Sequence, residues 1–218
     1  MIRALIFDMD GLMVDTEPLY WEVARELARK CGKEVSDDTL RKMMGRSRIE
    51  SMRIFAEACG IDSRAPEDLL IEREELMLQR YGRGVEPMKG LHEILNQFRG
   101  RLRFAVATSS PRKFTDVLLP ALDVANEFEV VQTGDQVTHG KPHPEIYRRC
   151  MSRLGVDGSE SIVLEDSKAG AMSGKSAGAY VIAVPSHLTA VEDFSQVADA
   201  RASDLLEVAG IIESLIAA

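Results

Sequence analysis

The sequence predicts an α/β fold, a doubly wound parallel sheet interrupted early by an all-helical insert. Three observations predict it. The run Ala4-Leu-Ile-Phe7 is short, continuous and apolar, as in a strand covered on both faces. From about residue 17 to 82 only helical spacing appears. From about residue 90 helical and strand-like segments alternate, which implies right-handed parallel crossovers with helices on both faces of one sheet. The expected domains are residues 1–15 plus 86–218 for the sheet and 16–85 for a four-helix insert.

The elements follow in order. After the first strand the chain must turn at Asp8-Met-Asp-Gly11. Pro18 suits the first turn of a helix, with Tyr20, Ala24, Leu27, Ala28 and Cys31 on one face before Gly32. Ser36 can cap a second helix that stops at Gly45. Ser47-Arg-Ile-Glu50 reads as a capping box for a third, with Ile49, Met52, Phe55 and Cys59 aligned and Gly60 past its end. Pro66 opens a fourth, with Leu69, Leu70, Arg73, Leu76 and Met77 at helical spacing and Gly82 after it. The alternating part then reads as helix 91–98, strand 103–108, helix 114–122, strand 128–133, helix 144–154, strand 161–165, helix 169–177, strand 180–184 and helix 204–215. Pro120 argues against the helix at 114–122. No internal repeat or flexible linker interrupts the pattern.

Composition narrows the function. The chain has 218 residues, 45% of them hydrophobic, and 27 Lys+Arg against 35 Asp+Glu give a net charge of −8. That balance supplies no electrostatic footprint for a nucleic acid. No apolar run approaches the roughly 18 residues of a membrane span, and the N-terminus turns acidic at Asp8, unlike a signal peptide. Cys31, Cys59 and Cys150 are odd in number and widely spaced, which suits neither a disulfide framework nor a structural zinc. The expectation is a cytoplasmic protein with neither nucleic-acid nor membrane partners. No heptad seam specifies an oligomer, so a monomer or a small homo-oligomer is expected.

Open parallel sheets carry their sites beyond the carboxyl ends of the strands. Three strand ends here are polar, at Asp8/Asp10, at Thr108-Ser-Ser110 and at Glu165-Asp166, and the loop beyond a fourth strand carries Lys141. Each alone has an ordinary reading as a solvated turn, a helix-start charge, a cap or a surface lysine. Together they converge on one rim. Carboxylates crowded there repel by roughly 4 kcal/mol per pair at about 4 Å and an effective dielectric near 20, so a cation belongs among them. Oxygen ligands without His or Cys suit Mg²⁺. With one lysine and one hydroxyl, such a site can clamp a phosphoryl group. Asp8 then suits a nucleophile, Asp10 an acid and base, and the turn at Gly11 offers backbone N–H groups to the phosphate.

Phe7-Asp-Met-Asp-Gly-Leu-Met-Val-Asp-Thr16, Thr108-Ser-Ser110, Gly140-Lys-Pro-His-Pro144 and Val163-Leu-Glu-Asp-Ser-Lys-Ala-Gly170 resemble, in order, the four motifs of the haloacid dehalogenase superfamily. The branch most similar holds beta-phosphoglucomutases and small sugar-phosphate phosphatases. The resemblance implies a Rossmann-like core, a helical cap over a small phosphorylated metabolite, and Mg²⁺ held by Asp8, the Asp10 carbonyl and Asp166, with Glu165 a direct or indirect ligand. It also implies that Thr108, Lys141 and the Ser109 amide bind the phosphoryl group. The second aspartate, Asp10, argues against dehalogenation. Tyr20 stands where the mutases carry a cap histidine, which favours a phosphatase on a sugar or nucleoside monophosphate, whereas Gly45-Arg-Ser-Arg48 matches a loop whose arginine grips a second phosphate in mutases. Arg48 also reads as a solvated helix start, and Tyr20 as a core aromatic. A receiver-like signalling module shares such a rim but has about half this length and no insert.

Overall fold

The computed structural model describes residues 1–43, 46–186 and 189–217. Met44, Gly45, His187, Leu188 and Ala218 lie outside the described residues, and with them the expected stop of the second helix at Gly45 and the first residue of the Gly45–Arg48 segment. The chain divides into two compact units, Met1–Asp15 with Val85–Ala218, and Thr16–Gly84.

The first unit holds a six-stranded sheet made of β1 (Ala4–Phe7), β2 (Arg103–Thr108), β3 (Val130–Thr133), β4 (Ser161–Glu165), β5 (Tyr180–Ala183) and β6 (Ala200–Arg201). The spatial order is β3-β2-β1-β4-β5-β6, and every pairing is parallel. β1 is therefore central, with Ala4 opposite both Arg103 and Ser161. All four of its residues are fully buried, which is why it reads as a continuous apolar run and not an alternating one. The strand order reverses at β1, so the crevice beyond its carboxyl end lies at the switch point of the topology.

The α-helices described in this unit are α5 (Leu91–Phe98), α6 (Arg112–Ala121), α7 (Glu145–Leu154), α8 (Lys168–Ser176) and α9 (Leu205–Ala217). Ile146, Tyr147, Cys150, Met151 and Leu154 of α7 and Ala171 of α8 share one core cluster with Ala4, Ile6, Ala105, Ala107, Val163, Val181 and Ala183 of the strands. Alternate strand residues, among them Leu5, Phe7, Phe104 and Leu164, belong to the other face by the two-residue period. There Phe7 meets Phe104 and Phe128 edge-on, at centroid distances of 6.1 and 5.7 Å.

Three details differ from expectation. The strand expected from Phe128 begins at Val130, although Glu129 N–H already donates to Phe104 O. α6 forms despite Pro120, because the proline falls in its last turn, where Leu122 N–H closes on Leu118 O. β6 is only two residues long, too short for periodicity to reveal.

The second unit is helical throughout its named elements: α1 (Glu17–Lys30), α2 (Asp37–Met43), α3 (Arg48–Cys59) and α4 (Pro66–Tyr81). Ser47 caps α3 by accepting from Glu50 N–H, and Gly60 ends it at φ 62°. The buried face of α1 is Val23, Ala24, Leu27 and Ala28, so Tyr20 and Cys31 stand at its edge and are only partly covered. α4 buries Arg73 and Glu74 beside Leu69, Leu76 and Met77. Among the described residues no helix is long and apolar enough to cross a membrane.

Candidate active site

Asp8 directly follows β1, and its N–H donates to Leu164 O, so the sheet ladder holds this backbone one residue beyond the strand. The chain then folds back on itself, with Met13 N–H donating to Met9 O and Gly11 N–H to Val14 O. Gly11 has φ +78°, and a Cβ on it would lie 2.2 Å from Asp166 Oδ2. The glycine is needed twice, for the left-handed turn and for the close approach of β1 to the end of β4.

Glu165 ends β4 and is completely buried. Lys141 reaches into the same place from the loop after β3. Its ammonium lies 2.6 Å from Asp8 Oδ1, 2.5 Å from Glu165 Oε1 and 3.1 Å from Ala107 O. Tyr147 of α7 donates its hydroxyl to the same Glu165 oxygen at 2.5 Å, and its ring centroid lies 5.1 Å from the ammonium. The other oxygen of Glu165 accepts from the Ser167 hydroxyl at 3.1 Å. Gly170 leaves room for this carboxylate, since a Cβ there would fall 1.8 Å from Glu165 Oε1.

Asp10 is held from β2's end. Ser110 donates its hydroxyl to Asp10 Oδ2 at 2.7 Å, and Thr108 is 3.4 Å from the same oxygen while accepting from Ser110 N–H at 3.0 Å. Ser109 is exposed, and Gly134 passes its backbone so closely that a Cβ would lie 2.2 Å from Ser109 O. Asp166 is buried, and its carbonyl accepts from the Thr189 hydroxyl at 2.7 Å.

The electrostatics follow from burial. Desolvation, reinforced by Glu165 and Asp10, pushes Asp8 up to about 7 against the pull of Lys141. Burial alone would weaken the Lys141 ammonium, but Asp8 and Glu165 outweigh it and hold the charge firmly in place. The Tyr147 phenol is pushed far up, first by burial and then by Glu165, so it remains a donor. Ligand atoms of Asp8, Glu165 and Asp166 lie within 4.8 Å of one another, an all-oxygen acidic cluster of the kind that holds a hard divalent cation.

The structure thus brings Asp8, Asp10, Gly11, Thr108, Lys141, Glu165 and Asp166 to one rim, with Ser109 exposed at its edge. Ser110 and Tyr147 were missed by sequence reasoning. Ser110 stood inside the Thr108-Ser-Ser110 segment without being singled out. Tyr147 left no such trace, because on the buried face of α7 an aromatic reads as core. In the helical unit, Tyr20 lies 5.8 Å from the Arg73 guanidinium, and Arg48 forms an ion pair with the buried Glu74. Trp21 is flanked by Arg25 and Arg41, at 5.5 and 5.9 Å. Arg73 did leave a signal, a charge within the apolar stripe Leu69-Leu70-Arg73-Leu76-Met77.

Tyr147→Phe keeps the ring against Lys141 and removes only the hydrogen bond to Glu165. A bond to a buried charged group contributes about 1.5–3 kcal/mol. Urea unfolding should show that loss; an unchanged midpoint would mean that water or another donor replaces the phenol.

Residues 5–184 match the haloacid dehalogenase-like hydrolase family, and the chain belongs to it. A phosphorylated carbohydrates phosphatase of Thermotoga maritima is 38% identical over 81% of this chain and 82% of its own. The fructose-1-phosphate phosphatase YqaB of Escherichia coli is 31% identical, covering 80% and 92%. The crystal structure of CbbY from Rhodobacter sphaeroides in complex with phosphate superposes with a TM-score of 0.87 at 26% identity, covering 95% of this chain and 96% of that one.

Proposed function

We propose that this hydrolase is a Mg²⁺-dependent phosphatase of small sugar or nucleoside monophosphates, working through a phosphoryl group carried on Asp8. The observation that carries the proposal is the buried Lys141 ammonium, 2.6 Å from Asp8 and 2.5 Å from Glu165 at the sheet's switch point, with Asp10 held beside them by Ser110. The sequence relatives named for phosphatase activity on phosphorylated carbohydrates support the substrate class.

The acidic cluster fits a magnesium ion. Four carboxylates, Asp8, Asp10, Glu165 and Asp166, crowd a rim where Lys141 is the one ammonium among the site residues, and Gly11 keeps its place beside Asp166 free of side-chain atoms. Both oxygens of Glu165 accept from Lys141, Tyr147 or Ser167, so Asp8, Asp166 and the Asp10 carbonyl are the proposed ligands and Glu165 orients Lys141. When bound, Mg²⁺ neutralises charge on the phosphoryl oxygens.

In this reading the Asp8 carboxylate attacks phosphorus and the ester oxygen leaves with a proton from Asp10. Asp10 then takes a proton from water as that water attacks the aspartyl phosphate, and phosphate departs with the Asp8 carboxylate restored. Thr108, the Ser109 amide, Lys141 and N–H groups of the turn at Gly11 hold the phosphoryl oxygens. Tyr20 and Arg48 of the helical unit are the proposed substrate-selecting residues. The experiment is phosphate release from a panel of sugar and nucleoside monophosphates with and without Mg²⁺. Release that does not depend on Mg²⁺ would sink the metal assignment. No release, together with conversion of a hexose 1-phosphate to the 6-phosphate, would make the protein a mutase.

The same site predicts a pH-dependent response to the metal. Asp8 is pushed up to about 7, well above an unfolded carboxyl near 4, so the metal-free folded state binds the extra proton. That contribution to stability is present below about pH 4 and is lost as pH rises through 7. Mg²⁺ and the proton compete for the same carboxylate. Calorimetry should therefore find that Mg²⁺ raises Tm little at pH 5.5 and markedly at pH 8.

A further inference from the structure

Outside the catalytic rim, the loop that delivers Lys141 carries a second constellation of ligating groups. His139 and His143 flank the lysine at two residues on either side, and Glu145 opens α7 just beyond. Although both histidines are exposed, their rings are not dispersed in solvent; the centroids are 4.7 Å apart, inclined at 38°. His139 Nδ1 lies 3.2 Å from Glu145 Oε2, and ligand atoms of all three residues fall within 4.8 Å of one another.

Glu145 is fixed in place for such a role. Its Oε1 accepts from Thr138 N–H at 3.1 Å and pairs with Arg149 at 2.8 Å, while Oε2 accepts from His139 N–H at 2.9 Å. Those backbone donors, first Thr138 and then His139, hold its carboxyl down at about 2. The Glu145 N–H donates to His143 Nδ1 at 3.3 Å, so that ring nitrogen already faces the start of α7 beside Glu145.

The geometry points to a transition-metal site formed by His139, His143 and Glu145, distinct from the acidic rim and suited to Zn²⁺. Two imidazoles and one carboxylate are a borderline-soft donor set that favours Zn²⁺, Ni²⁺ or Cu²⁺ over Mg²⁺. Two donors each about 2.0–2.1 Å from a tetrahedral zinc stand about 3.3–3.4 Å apart, close to the 3.2 Å that already separates His139 Nδ1 from Glu145 Oε2. His143 completes the set by a side-chain rotation that its exposure allows, displacing the Glu145 N–H contact, and water takes the fourth position. A metal there clamps the loop on either side of Lys141, and the Ser173 hydroxyl already anchors one of those flanks by donating to His143 O at 2.7 Å.

The test is calorimetric titration of Zn²⁺ into the whole chain in excess Mg²⁺, which keeps the acidic rim occupied by the harder ion. One Zn²⁺ per chain is expected, bound more than about tenfold more weakly by His139→Gln and by His143→Gln, each of which removes one ligand. Asp166→Asn, altered only at the rim, should bind Zn²⁺ as wild type does. Zn²⁺ should also raise the thermal midpoint of wild type and leave that of His139→Gln unmoved. Wild-type affinity in both histidine variants, or loss of Zn²⁺ binding in Asp166→Asn alone, would overturn the assignment.

Discussion

Asp8→Asn should abolish phosphate release while leaving a folded protein. Asn has the size and shape of Asp, and its carbonyl can still accept from Lys141, but its amide cannot attack phosphorus. A nucleophile's removal costs on the order of 10⁴–10⁶ in kcat, because the remaining groups have no acceptor to stabilise. The stability prediction is opposite in sign and separates chemistry from misfolding. Asp8 is pushed up to about 7 even with Lys141 beside it, so above that pH the buried charge is a net burden on the metal-free fold. Asn removes that burden. At pH 8 and without Mg²⁺ the variant should melt at or above wild type, while at pH 5, where Asp8 is protonated in the folded state, the two should converge. Residual phosphate release above about one part in 10³ of wild type would mean another nucleophile. A variant that melts far below wild type at pH 8 would mean that the Asp8–Lys141 pair contributes more than its desolvation costs.

The same balance explains why the rim was legible in sequence and its supports were not. β1 is buried on both faces, so its apolar run had to end where the sheet ended, and the first polar residue after it, Asp8, had to stand at the rim. Lys141 lies 133 positions from Asp8, yet parallel connectivity forces the β3 loop onto the same edge as the end of β1. Tyr147 was hidden for the opposite reason. Its ring satisfies the apolar period of α7, and nothing in that period reveals that its hydroxyl meets a buried carboxylate. Arg48 and Glu74 pair across two helices whose relative register no sequence period specifies. The turn at Gly11 is expected for its backbone N–H groups, whereas its left-handed conformation and the approach of Asp166 come from the packing of β1 beside β4, which no local pattern expresses.

Lys141→Met is the substitution with the largest expected effect on stability, and its pH dependence identifies the cause. The methionine fills the aliphatic volume but leaves Asp8 and Glu165, both nearly inaccessible to solvent, without the ammonium that lies 2.6 and 2.5 Å from them. Breaking a buried ion pair from one side costs about 3–5 kcal/mol, since the orphaned charge stays desolvated. Protonation offers an escape. Lys141 is the main influence holding Asp8 down, so without it the Asp8 carboxyl moves further above its unfolded range. A folded group with a raised pKa adds stability at low pH and loses it as pH rises. The deficit of Lys141→Met against wild type should therefore be smaller near pH 5, where Asp8 is protonated and Glu165 alone is left without its partner, and approach its full size at pH 8, read from urea midpoints without Mg²⁺. A deficit that is the same at both pH values would assign the loss to packing around the stem of Lys141. Activity should fall about 10²–10³-fold even at pH 8 and saturating Mg²⁺, because a preorganised cation facing the developing charge is gone. Lys141→Arg should not rescue it: the planar guanidinium needs more room than the buried ammonium occupies between Asp8, Glu165 and the Tyr147 ring.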